Sequence, residues 1–198
     1  MRLLTPSALK ICDAAVGHFA ECGYAGASLS HIAEMAGIRK ASIYAHFSGK
    51  DELFLSAYEL VLGRECVFLD LCFKGDKKSK LLPGYSYCKA MKRHFDDGPN
   101  FKFLLSGAYF QPQHLRAELD AHYKFYLKTL GQLFRASYKA TFGGTNNLEL
   151  FLKAYLGIAD SLHAELLYAG VRSFDKRFLA LWKIFSDSIS LQNRALEL

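Results

Sequence analysis

Residues 27–50 read ASLSHIAEMAGIRKASIYAHFSGK, and this stretch decides the fold class. Ser28 stands where a helix N-cap is wanted, Leu29, Ile32 and Ala33 share one face, and Gly37 follows Ala36 as a stop. A second short helix fits Lys40 to Phe47. Two short helices joined by Ala36-Gly37-Ile38 have the proportions of a helix-turn-helix, whose tight turn favours glycine. Such a unit buries one face of each helix against a preceding helix and leaves the second free to enter a major groove. The preceding helix is Ser7–Cys22, where Ile11, Ala15 and Phe19 repeat at i, i+4 and i+8. Leu9, Cys12 and Val16 widen that stripe, and Gly23 supplies the C-cap.

The outward side chains of the second helix are Arg39, Lys40, Ser42, Ala45 and His46, donors and small groups that permit close approach to base edges. Between Ser28 and Lys50 only Glu34 is acidic, against Arg39, Lys40 and Lys50. A hairpin buried in a core does not need that polarity. Glycine-turned hairpins are nevertheless common, so spacing alone leaves DNA binding and plain packing both open.

Beyond this stretch the periodicity stays helical. Ser48-Gly49-Lys50-Asp51 has the form of a capping box and opens a long run from Glu52 to about Phe73. Lys74-Gly75-Asp76-Lys77-Lys78-Ser79-Lys80 contains no apolar residue and reads as a loop with solvated lysines. Further helices fit Gly84–Asp96, Pro99–Phe110, His114–Phe142, Asn147–Gly170 and Ser173–Leu196. Asp97-Gly98-Pro99, Gln111-Pro112 and Gly143-Gly144-Thr145-Asn146 punctuate them. No alternating run is long enough for a strand, so the expected fold is all-α with about nine helices.

The 198 residues are 51% hydrophobic and 22% charged, enough to bury a real core and exclude disorder. The longest stretch without a formal charge runs only from Phe103 to Leu115, short of the about 20 residues a spanning helix needs. Lys10 and Asp13 interrupt any signal-peptide core, so a cytoplasmic protein without membrane contact is expected. The net charge of +6 tolerates a polyanionic partner without requiring one. Five cysteines, an odd number with no C-x-x-C pair, read as small buried hydrophobes, with redox sensing as the alternative.

Catalytic and metal chemistry find little support. His163 and Glu165 are two apart on a helix, and His114 and His122 are eight apart without a nearby cysteine, so neither pair has helical ligand spacing. Phosphate loops, G-x-S-x-G and H-E-x-x-H are absent. The expectation is a non-enzyme without a metal or cofactor.

The chain resembles the tetracycline-repressor-like (TetR/AcrR) bacterial transcription regulators. The resemblance rests on Ala14-Ala15, Phe19, Gly23-Tyr24, Ser28-Leu29, Ile32-Ala33-Glu34, Ala36-Gly37-Ile38, Ser42-Ile43-Tyr44-Ala45-His46-Phe47 and Gly49-Lys50-Asp51-Glu52-Leu53. It covers roughly residues 8–58; the remainder matches only in length and helical character. It implies a DNA-binding domain over residues 1–50 and a ligand-binding and dimerisation domain over 51–198. By resemblance Ser28, Tyr44 and Lys50 contact phosphate, positioning the protein rather than reading sequence. Arg39, Lys40 and Ser42 occupy base-reading positions, with Ser30 and Ala45 as further candidates and His46 in a phosphate or structural role. Ile32, Ala36, Ile43 and Phe47 belong to the core. A long basic arm for the minor groove is missing, since only six residues precede Ser7.

The resemblance further implies a homodimer built on the last two helices and a pocket for a small-molecule effector. Asn147–Gly170 and Ser173–Leu196 carry apolar stripes wider than one neighbour requires, and Leu162, Leu166, Phe178 and Phe185 are the candidate interface residues. A fully internal helix is the alternative. Met91, Phe95, Phe103, Tyr109, Tyr123 and Tyr126, from the aromatic-rich central helices, are the candidate pocket for an apolar or aromatic ligand; core filling is the alternative for each. The function expected is a ligand-responsive regulator, a repressor released from a pseudo-palindromic double-stranded operator. A helical small-molecule-binding or scaffold protein without DNA binding is the competing reading, and salt-dependent retention on duplex DNA separates the two.

Overall fold

The computed structural model describes residues 4–144 and 147–194. The described residues form nine α-helices and one 3-10 turn, with no strand, as the all-α reading expects. The chain divides into two compact units, Met1–Glu65 with Asp97–Phe125, and Cys66–Asp96 with Tyr126–Leu198. Two helices, α4 (Lys50–Ser79) and α7 (Arg116–Phe142), begin in the first unit and end in the second.

The first unit holds α1 (Pro6–Gly26), α2 (Leu29–Met35), α3 (Lys40–Ile43), the start of α4, α6 (Pro99–Tyr109), a 3-10 turn at Gln113–Leu115 and the start of α7. Proline at the first turn and the Thr5 hydroxyl, which accepts from the Ala8 amide at 3.2 Å, start α1. Its stripe Ile11, Cys12, Ala15, Val16 and Phe19 is buried. The helix breaks at Gly23 (φ 65, ψ 177), where the sequence places its end, and one further turn follows to Gly26.

Phe19 is central to this unit. Its ring meets Phe54 edge-on at 4.7 Å and lies parallel to Phe103 at 5.8 Å. Such pairs add about 0.5–1.5 kcal/mol each beyond buried area. The Tyr58 hydroxyl donates to the Leu104 carbonyl at 2.9 Å, which ties α4 to α6.

The second unit holds the rest of α4, α5 (Tyr85–Asp97), the rest of α7, α8 (Leu148–Tyr168) and α9 (Val171–Arg194). Phe134 stacks on Tyr155 at 4.5 Å, and Phe185 lies 6.3 Å from each of them. The expected end of the last helix at Leu196, and Thr145-Asn146 of the preceding connection, lie outside the described residues.

One expectation needs correction. Residues 74–79 are not a loop; α4 continues through them to Ser79. The cause is Asp76, which is fully buried and accepts from the Gly84 and Ser86 amides at 2.8 and 2.9 Å. A carboxylate on α4 thereby caps the opening turn of α5, whose N–H groups have no helical partner of their own. The neighbouring Lys74, Lys77 and Lys78 remain exposed on the other sides of the helix.

Candidate DNA-binding surface

The turn between α2 and α3 is built by Ala36, whose amide donates to Ile32, and by Gly37 at φ 65. A side chain at Gly37 would be strained by that backbone, which is why the turn takes glycine. Ile32, Ala36, Ile43 and Phe47 are all 2% exposed or less, in line with their reading as core. Regular helix in α3 is shorter than expected, Lys40–Ile43 rather than Lys40–Phe47. The His46 and Phe47 amides both donate to the Ile43 carbonyl at 2.9 Å. That shared acceptor tightens the last turn, sends Phe47 into the core and turns Tyr44 and Ala45 outward.

With that base in place, Ser28, Ser30, Arg39, Lys40, Ser42, Tyr44 and Ala45 are all exposed, while His46 and Lys50 are half-buried. Ser28 caps α2: its Oγ accepts from the His31 amide at 3.2 Å, which leaves its O–H as a donor for an outside acceptor. The Lys50 ammonium donates to the Ala25 carbonyl at 3.4 Å and stands 4.5 Å above the Tyr24 ring. Tyr24 in turn donates to Asp51, and this bond holds the Asp51 carboxyl below its ordinary value. Lys50 is therefore anchored at the first turn of α4 and not on a free stem.

Sequence reasoning missed His18. It lies on the inner side of α1, only 8% exposed, and its Nε2 accepts from the Ser28 amide at 3.2 Å while Nδ1 stands 3.8 Å from the Cys22 sulfur. The signal was available: His18 and Cys22 are an i, i+4 pair. Cys22 is also the exception to the buried-cysteine expectation, for it is exposed; Cys12, Cys72 and Cys88 are buried and Cys66 half-buried. Among the described residues no group of three or more His, Cys, Asp or Glu side chains is placed to hold a metal ion.

The residues read as a ligand pocket fall in both units. Phe103, Tyr109 and Tyr123 belong to the first, where the Tyr109 and Tyr123 rings meet edge-on at 6.0 Å. Met91, Phe95 and Tyr126 belong to the second. There Tyr126 and His163 each lie 2.7 Å from the Tyr87 hydroxyl, a buried polar cluster that the sequence does not announce. Burial drives His163 down to about 4, so its ring is neutral at ordinary pH.

Leu162, Leu166, Phe178 and Phe185 are 0–7% exposed and pack mainly within the unit, and of the four Phe185 also lines a groove on the unit's surface. The wide stripes on α8 and α9 carry two faces. The inner one packs within the unit, and the outer one leaves Leu150 59% and Ile184 70% exposed beside a groove of about 340 Å³. Ala154, Leu181 and Ser188 line the same groove. No described helix is long and apolar enough to cross a membrane.

Residues 11–57 match the family described as bacterial regulatory proteins, tetR family. The fatty acid metabolism regulator protein of Bacillus subtilis is 34% identical over 83 residues, 41% of this chain and 43% of that protein. The biofilm operon icaADBC negative transcriptional regulator IcaR of Staphylococcus epidermidis is 28% identical over 113 residues, 57% and 59% of the two chains. The chain thus spans about half the length of the curated relatives it matches. Among solved structures, the fatty acid degradation regulator FadR from Bacillus halodurans aligns with a TM-score of 0.66 at 20% identity, covering 91% of this chain and 96% of that one. The transcriptional regulator FadR from Bacillus subtilis in complex with stearoyl-CoA aligns at 0.60 and 21%, covering 87% and 96%. At those identities the likeness is one of fold.

Proposed function

We propose that this chain, a member of the tetR family of bacterial regulatory proteins, is a DNA-binding transcriptional repressor of the cytoplasm that a small molecule releases from its operator. The observation that carries the reading is the display of Arg39, Lys40, Ser42 and Ala45 outward over a fully buried Ile43 and Phe47. Residues 1–50 serve DNA, and residues 51–198 serve the effector and the homodimer. Arg39 suits a guanine O6/N7 pair and Ala45 a thymine methyl. Lys40 and Ser42 read bases beside Arg39, with Ser30 a further candidate, while Ser28, Tyr44 and Lys50 take phosphates and His46 has a phosphate or structural role.

For the effector, the relatives point to a long acyl chain: one is named for fatty acid metabolism and one structure holds stearoyl-CoA. Of the candidates, Met91, Phe95 and Tyr126 of the second unit are apolar and aromatic enough for such a tail. The Tyr87, Tyr126 and His163 cluster offers hydrogen bonds to a polar head. Release requires the effector to favour the DNA-incompetent arrangement, and a tenfold loss of operator affinity needs about 1.4 kcal/mol of that preference.

Two substitutions test the DNA assignment. Lys50→Ala weakens binding to every duplex and lowers the log–log salt slope by about 1 per site, because it removes a phosphate contact. Arg39→Ala costs about 1–3 kcal/mol on the operator and relaxes its specificity, with little change on random DNA. Titrations of both variants on an operator and a scrambled duplex check this. Equal losses on the two DNAs for both variants would show that the roles are misassigned.

A further inference from the structure

We propose that His18 is a positioning residue that seats the DNA-facing end of α2, and that it does so only as the neutral imidazole. The consequence for affinity rests on the DNA-binding reading above; the link between His18 and Ser28 does not.

The argument begins with hydrogen-bond accounting. Ser28 is the N-cap of α2, so its amide has no partner inside that helix. The partner it has is His18 Nε2, at 3.2 Å. A ring nitrogen that accepts from an N–H carries no proton, so the proton of the neutral ring sits on Nδ1, the nitrogen facing Cys22. The same serine uses its Oγ to accept from the His31 amide, 3.2 Å away. Three contacts therefore fix Ser28: its Oγ and its carbonyl, which accepts from the Ile32 amide at 3.1 Å, within its own helix, and its amide, which reaches across to α1. The last is the only one of the three that protonation can remove.

Protonated, Nε2 becomes a donor aimed at another donor. The Ser28 amide then loses its acceptor, and the serine hydroxyl shifts from the position where it meets phosphate. The groups facing the ring are Glu21 and Cys22 from α1, His31 from α2, with its ring centroid 4.6 Å away, and Lys50 from the start of α4. Burial first, then His31, hold His18 below its ordinary 6.5, Lys50 adds to this, and Glu21 opposes it. A depressed histidine keeps its contribution above the unfolded value and loses it as pH falls through the folded one. The latch is closed at neutral pH and opens on acidification below 6.5.

The sign of the pH effect is what distinguishes this device. Acid adds positive charge to a protein, and added positive charge by itself tightens binding to a polyanion. The latch predicts the reverse.

The test uses the full chain and a duplex enriched by it from a random pool at pH 8, with affinity measured from pH 8 to 5 at fixed salt. In the same buffers without DNA, the Ser28 amide and His18 ring resonances are followed by NMR. The wild type is expected to lose about tenfold in affinity below pH 6, the scale of a net hydrogen bond in each of two half-sites. The Ser28 amide is expected to move with the His18 midpoint. His18→Gln, which keeps an acceptor that does not titrate, should retain the pH 8 affinity and lose the acid-side fall; His18→Leu should be weak at every pH. An affinity that stays flat or rises on acidification overturns the proposal, as does a Ser28 amide indifferent to His18. If no duplex is enriched at pH 8, the DNA reading fails, and the Ser28 resonance still decides the link.

Discussion

Gly84→Ala lowers the unfolding free energy by about 2–5 kcal/mol. Two independent penalties combine. The residue sits at φ 84, a backbone conformation that costs an L side chain about 1–2 kcal/mol. The added methyl would also stand 2.3 Å from the Tyr155 ring, and overpacking of that kind costs about 1–3 kcal/mol. Tyr155 cannot retreat cheaply. It is fully buried, stacked on Phe134, and its hydroxyl donates to the Gly84 carbonyl at 3.3 Å. The adjacent Asp76 cap depends on the same amide, so the joint between α4 and α5 loosens as well. Urea unfolding reads the loss as a lower midpoint at unchanged slope. Gly98→Ser is the control: Gly98 has extended backbone with no atom near a new Cβ, and as the N-cap of α6 it should change stability by only a few tenths of a kcal/mol. Equal effects at the two glycines would contradict this account.

The same joint shows where sequence reading stops. Residues 27–50 were legible because every signal there is local. Ser28 caps α2, Gly37 turns the chain, and Ile32, Ala36, Ile43 and Phe47 keep to one side. Residues 74–80 were misread because their signal is not local. Asp76 looks like one more charge among lysines until Gly84 and Ser86 arrive to be capped. His18 was passed over for a related reason. Its partner Ser28 lies ten residues on, and a histidine on an apolar stripe declares no acceptor role by itself. The outer helices pose a different problem. Periodicity shows that α8 and α9 are apolar over more than one face, yet it does not say which face the chain covers first. The large aromatic side chains Tyr155, Phe174, Phe178, Trp182 and Phe185 went inward. What remains outside is a mixture of branched and small residues, Ile184, Leu150, Ala154 and Ser188.

That outer face sets the last expected result. Ile184→Glu, and independently Leu181→Glu, yields a folded monomer that binds the full operator about 10²–10⁴-fold more weakly. Exposed apolar residues beside a groove of about 340 Å³ are costly to leave in water, and a two-fold axis through them would cover each groove with the partner's copy of the same face. In the proposed homodimer two recognition helices engage successive major grooves with a high effective concentration; separated protomers lose that advantage, which is the source of the quoted factor. A carboxylate buried in such an interface without a partner has no compensating contact. Because Ile184 is open to solvent and Leu181 only half-buried in the single chain, the charge should spare its fold, whereas the same change at Phe185 would enter the core and unfold it. Leu179→Glu separates interface from mere surface, since Leu179 is 65% exposed but does not line the groove, and it should dimerise and bind as the wild type does. Light scattering after size exclusion gives the mass, circular dichroism the fold, and operator titration the affinity. An Ile184→Glu protein that remained a dimer and bound normally would place the two-fold contact on another surface.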